Sequence, residues 1–144
     1  MSLQLVVDTN VLVAGLRSKR GAAFRLLSVL NDPRWQINLS VALVLEYEEV
    51  LKRESSALQL SFEDVDTVIN ALASIGNRRA IPYSWRPMSH DADDDFLVEL
   101  ALNIRADHVI TYNLRHLQVL KELGFSVITP REFLELMDQM EGGK

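Results

Sequence analysis

The chain has 144 residues, 48% hydrophobic and 24% charged, a balance that fits one globular domain with a self-sufficient core. Cysteine is absent, which excludes disulfides and thiol chemistry and is compatible with a reducing compartment. A net charge of −5 and a pI near 5.2 argue against a nucleic-acid surface, unless several acids hold cations that reverse the local charge.

No basic region precedes an apolar stretch at the N-terminus, and no apolar run approaches the roughly 18 residues of a membrane helix. A cytoplasmic protein without membrane contact is expected. Leu3–Val7 is an apolar run of strand length that ends at Asp8. Helical patterns cover Asn10–Leu16 and Gly21–Leu30, and Asn31-Asp32-Pro33 closes the second. Gln36–Leu39 alternates polar and apolar and predicts a strand, followed by a helix from about Val41 to Arg53. Ser61 is an N-cap with Asp64 at the third helical position, a variant capping box, and that helix runs to about Ile75.

Gly76 precedes a short strand near Arg79–Pro82, and Tyr83–His90 reads as a loop. Asp93–Ile104 is a helix, Val109–Thr111 a strand, and Leu114–Leu123 a helix stopped by Gly124. Ser126–Thr129 is the last strand, and Pro130 opens the last helix at its first position. One domain is expected over residues 1–140, with 141–144 a frayed tail. Strands alternating with helices imply an α/β fold, a three-layer α/β/α sandwich around a central parallel sheet. Such sheets bind ligands beyond the carboxyl ends of their strands, near a switch point, so the residues after each strand are the first candidates.

Asp8 directly follows Leu5-Val6-Val7, where a carboxylate can hold a hard cation; a helix N-cap or turn aspartate gives the same pattern. Glu46 falls on the apolar stripe of its helix with Leu43, Tyr47, Val50 and Leu51. An acid there costs free energy unless it binds metal or pairs with an arginine. Among the adjacent aspartates, Asp94 shares a face with Leu97, Val98 and Ala101, whereas Asp95 lies with Glu99 and Asn103. Asp94 is therefore the ligand candidate and Asp93, four residues before Leu97, the second choice. Acids at helix starts are also explained by the helix dipole. Asn113 follows the strand ending at Thr111 and reads equally as a ligand to metal or water and as a helix cap. His116 is three residues on; His90 and His108 have no ligand spacing.

Gly-rich phosphate loops and the G-x-S-x-G elbow are absent, leaving oxygen ligands suited to Mg²⁺ or Mn²⁺. The order of these residues resembles the PIN-domain family. Val6-Val7-Asp8-Thr9-Asn10, Ser40 with Glu46-Tyr47, Asp94 with Ala101, and Thr111-Tyr112-Asn113 match its four acidic positions in sequence. Asn113-Leu114-Arg115-His116-Leu117 is similar to the toxin branch of bacterial toxin–antitoxin pairs, the VapC-like ribonucleases. Many relatives carry acids where Asn113 and His116 stand, which puts a second tightly bound metal in doubt.

The resemblance implies a PIN-like fold, a metal-dependent ribonuclease acting on single-stranded RNA, a cognate antitoxin, and pairing as a homodimer. It makes Asp8, Glu46 and Asp94 ligands of Mg²⁺ or Mn²⁺, with Asn113 orienting a water or completing the shell and Thr9 and Ser40 as supporting donors. Converging carboxylates about 4 Å apart repel by roughly 4 kcal/mol per pair at an effective dielectric near 20, so without metal one should take up a proton. Arg17, Lys19, Arg20 and Arg115 are the expected basic rim, though ordinary solvated charge explains each singly. An aspartyl-phosphate phosphatase at Asp8 is the first rival, but it wants an acid where Asn10 stands. The second is a catalytically inactive PIN-fold binding module acting through protein or RNA partners.

Overall fold

The computed structural model describes residues 2–81 and 92–142, without the side chains of 92–95 and 141–142. Strand β1 (Leu3–Val7) leads into α1 (Thr9–Arg17) and α2 (Ala22–Ser28), then β2 (Trp35–Leu39). Helices α3 (Val41–Arg53), α4 (Ser55–Leu58) and α5 (Phe62–Ile75) precede β3 (Asn77–Arg78). Then come α6 (Ala92–Ile104), β4 (His108–Ile110), α7 (Gln118–Glu122), β5 (Val127–Ile128) and α8 (Pro130–Gly142).

The strands form one sheet in the order β3-β2-β1-β4-β5, every pair parallel. The α/β expectation holds. Right-handed crossovers place the connections that step from β1 to β2 to β3 on one face, and those that return to β4 and β5 on the other. β1 is central, and Leu5, Val6 and Val7 are at most 2% exposed, the continuous apolar run of a strand covered on both faces. β2 adds one fully buried polar side chain, Asn38. Its amide donates to Gln4 Oε1 at 3.0 Å and Leu5 O at 3.2 Å, and its Oδ1 accepts from Arg79 Nε at 2.9 Å. A buried amide satisfied in this way fixes the β1–β2 register at little cost.

Several boundaries differ from expectation. β3 starts two residues earlier than predicted, because Asn77 and Arg78 pair with Asn38 and Leu39 directly after Gly76; Pro82 and the expected loop Tyr83–His90 lie outside the described residues. β4 is shifted back by one, and Thr111 stands just past its end. The helix expected over Leu114–Leu123 is only Gln118–Glu122, since residues 113–117 turn, with His116 N–H donating to Asn113 O at 3.1 Å. The short α4 was not predicted. The capping box at Ser61 is present in both directions, at 2.9 Å each. Helix ends use left-handed residues: Arg105 (φ 53°) after α6 and Gly124 (φ 90°) after α7. Among the described residues no helix is long and apolar enough to cross a membrane.

Candidate active site

Reading the registers outward from the strands puts Arg79, Ser40, Asp8, Thr111 and Thr129 in one row just past the strand ends. The chain leaves β1 toward β2 on one side and meets β4 on the other, so the switch point lies between β1 and β4. Asp8 and Thr111 face each other across it. Asp8 is 7% exposed and Thr111 fully buried. The Thr111 hydroxyl donates to Asp8 Oδ2 at 2.7 Å. Asn10 Nδ2 lies 3.3 Å from both Asp8 Oδ2 and Thr111 Oγ1, and Asn10 Oδ1 accepts the Tyr112 N–H at 3.1 Å. Asp8 occupies the N-cap position of α1, yet its side chain makes no capping hydrogen bond. The shortest hydrogen bond to its carboxylate comes from Thr111, across the crevice.

Glu46 reaches the same place from α3. Ser40, 3% exposed, caps that helix by accepting the Leu43 N–H at 3.2 Å. One turn on, Glu46 is half-buried, and its Oε2 accepts the Thr9 hydroxyl at 2.5 Å. Tyr47 beside it is 2% exposed and donates to Val7 O, pinning α3 to the end of β1. Burial first, then the charges of Asp8 and Glu46, push the Tyr47 hydroxyl far above its ordinary range. One buried phenol thus senses both carboxylates.

The Asp8 carboxyl itself is raised above the usual aspartate value by burial. The Thr111 hydroxyl, the first amides of α1 and the His116 charge offset part of that rise. These donors under-compensate the buried charge, and the set is all oxygen, so Asp8 and Glu46 fit a hard divalent cation. Asp94 stands on α6 three and four residues before Leu97 and Val98, both buried, but its side chain lies outside the described residues, as does that of Asp93. Among the described residues, no three His, Cys, Asp or Glu side chains gather closely enough to hold a metal ion.

The profile of the PIN domain matches residues 4–115. The chain belongs to the PIN-domain family. Solved structures share the fold of this PIN domain. VapBC-1 from nontypeable Haemophilus influenzae aligns with a TM-score of 0.59 at 16% identity, covering 90% of this chain and 99% of that one. VapBC2 from Rickettsia felis bound to a DNA fragment from their promoter gives 0.58 at 13%, covering 88% and 97%. FitAB bound to an IR36 DNA fragment gives 0.59 at 17%, covering 88% and 94%. No curated protein sequence matches the chain.

Within this PIN domain the other sequence candidates separate. Asn113 is exposed at the crevice mouth, and its N–H donates to Thr111 Oγ1 at 2.9 Å. It caps no helix, because α7 begins at Gln118. His116 lies close enough for its charge to lower the Asp8 pKa. His108 is structural: its Nδ1 shares a 2.8 Å hydrogen bond with Ser126 Oγ, and its ring meets Phe133 edge-on. His90 lies outside the described residues.

Of the four residues of the expected basic rim, one lies near the site. α1 starts at the site and runs back along the sheet, so its C-terminal end lies roughly 13 Å away. Arg17, Lys19 and Arg20 are therefore at the wrong end. Arg115 stays near the site, in the turn after β4, and Arg78 and Arg79 join it at the strand-end edge. The latter two line a groove of about 240 Å³ with Ser40, Val41 and Leu45. Glu99, assigned to a polar face with Asp95, is instead buried, at 8% exposed. Sequence reasoning missed Asn10 and the hydroxyl of Thr111 as Asp8 partners. The signal was a polar residue at the same level on the neighbouring strand, legible only once β4 is known to lie beside β1.

Proposed function

We propose that this PIN domain, acting as the single unit of residues 1–140, is a metal-dependent ribonuclease that hydrolyses phosphodiester bonds in single-stranded RNA. The observation that carries the reading is the buried Asp8 carboxylate at the switch point, with Glu46 beside it on α3. Asp8, Glu46 and Asp94 would hold Mg²⁺ or Mn²⁺, which supplies Lewis-acid stabilisation to an attacked phosphodiester when bound. Thr111 and Asn10 fix Oδ2 of Asp8 and so set the direction its other oxygen faces. The Thr9 hydroxyl orients Glu46 in the same way. Asn113, exposed two residues after Thr111, would hold a water or a phosphate oxygen by its amide. Arg115, Arg78 and Arg79 offer the strand a cationic edge that the net charge conceals.

The similar structures come from VapBC and FitAB assemblies, which supports a toxin role for this chain, with a cognate antitoxin covering the site and pairing as a homodimer. The deciding experiment is cleavage of mixed single-stranded RNAs in Mg²⁺ or Mn²⁺, beside Asp8→Asn and an EDTA control. The reading expects cutting that disappears in both. The inactive binding module is the second reading, favoured by Asn113 and His116 at positions where the family often carries acids. Metal uptake by folded protein without cleavage would select it.

A further inference from the structure

Tyr112 lies between Thr111, which donates to Asp8, and Asn113 at the mouth. It is 44% exposed, while Thr111 before it is fully buried. Its backbone is held rigidly: the Tyr112 N–H donates to Asn10 Oδ1 at 3.1 Å, and the next N–H, of Asn113, donates to Thr111 Oγ1 at 2.9 Å. Asn10 also contacts Asp8 Oδ2, so one side chain ties the tyrosine backbone to the candidate catalytic carboxylate. Among the described residues the phenol ring has no stacking partner and its hydroxyl no hydrogen bond.

We propose that Tyr112 is a stacking platform for the base next to the cleaved bond, a substrate-positioning residue of this site. The proposal rests on the ribonuclease reading above. A phosphate held at Asp8 would leave the neighbouring nucleotide beside the Thr111–Asn113 segment that carries this exposed ring. Single-stranded bases stack on exposed aromatic side chains whatever their identity, and a tyrosine has few rotamers to lose. The cationic edge is three arginines on a chain of net charge −5, so phosphate attraction is modest and falls with salt. Stacking supplies the part of the affinity that salt does not screen.

The test is fluorescence anisotropy of the full chain, in Ca²⁺, with a short oligoadenylate and with an abasic ribose-phosphate strand of the same length. Wild type should prefer the strand with bases by about tenfold. Tyr112→Ala should weaken oligoadenylate binding by about that factor and leave abasic binding alone, so that discrimination vanishes; Tyr112→Phe should recover most of the loss. In cleavage, the alanine variant should raise KM more than it lowers kcat. Equal weakening of both strands, or of neither, in a wild type that binds and cuts RNA overturns the stacking role. A wild type that neither binds nor cuts RNA overturns the ribonuclease reading and this proposal with it.

Discussion

At the residue scale, Asp8 is a charge that the fold buries and does not fully compensate. Replacing it by the isosteric Asn keeps an acceptor for Thr111 and removes the buried charge. Asp8→Asn should therefore abolish cleavage while stabilising the metal-free protein by about 1 kcal/mol, a trade common at functional sites. For a chain of this length that is a Tm rise of about 2–4 °C, read by calorimetry in EDTA. Mn²⁺ should raise the Tm of wild type and not of the variant; a metal response that survives the substitution would place the ligands elsewhere. Thr111→Val does the reverse, keeping the charge and deleting its best donor. It should cost about 1.5–3 kcal/mol at neutral pH, measured by urea unfolding. Asp8 and Glu46 were legible because a strand end and a buried helix stripe leave marks along the chain. The Asn10–Asp8–Thr111 contacts were not, because they join residues whose proximity depends on strand order.

At the scale of elements, chain patterns located elements best where apolar patterns were long and flanked by turn residues, as at β1 and α3. They misplaced the limits of β3, β4 and α7, short pieces whose limits are set by a neighbour's register or by a turn rather than by their own sequence. Helix ends offer a direct check. Ala106 N–H returns to Ala101 O at 3.1 Å after α6, and Phe125 N–H to Leu120 O at 2.9 Å after α7, the same closing turn in both cases. Gly124 suits its left-handed backbone; Arg105 does not. A left-handed conformation costs an L-residue roughly 1–2 kcal/mol, and glycine gives back part of that as unfolded-state entropy. Arg105→Gly should thus stabilise by about 0.5–1 kcal/mol and Gly124→Ala should destabilise by a similar amount, both read from urea midpoints.

His108 gives a pH signature at the start of β4. Burial lowers its pKa below the ordinary value, with Asp107 opposing, so the unfolded chain takes up the proton more readily. Stability should rise with pH across the window from the lowered folded value to the unfolded value near 6.5, and be fully present above it. Acidification from about pH 7 to pH 5 removes that contribution. His108→Phe keeps a ring against Phe133 and should flatten this part of the slope; an unchanged slope in the variant would assign it to other groups.

At the scale of the whole molecule, charge is unevenly placed. The total is −5, yet Arg78, Arg79 and Arg115 share the edge where the strands end. About three phosphate contacts predict a salt slope of roughly −2 in log K for single-stranded RNA, falling by about 0.7 in Arg115→Ala. A much steeper slope would mean a cationic surface elsewhere on the chain.

The bond between the Thr111 hydroxyl and Asp8 joins residues 103 apart in sequence. Sheets assembled from such distant partners form late and slowly, and chains fold from the N-terminus as they are made. A nascent chain grown through α5 already holds Asp8 and Glu46, but the strand that seats Asp8 has not been synthesised. The candidate site and the finished sheet therefore come into being together. Under the ribonuclease reading, this means that translation must pass β4 and Thr111 before that chain can attack RNA.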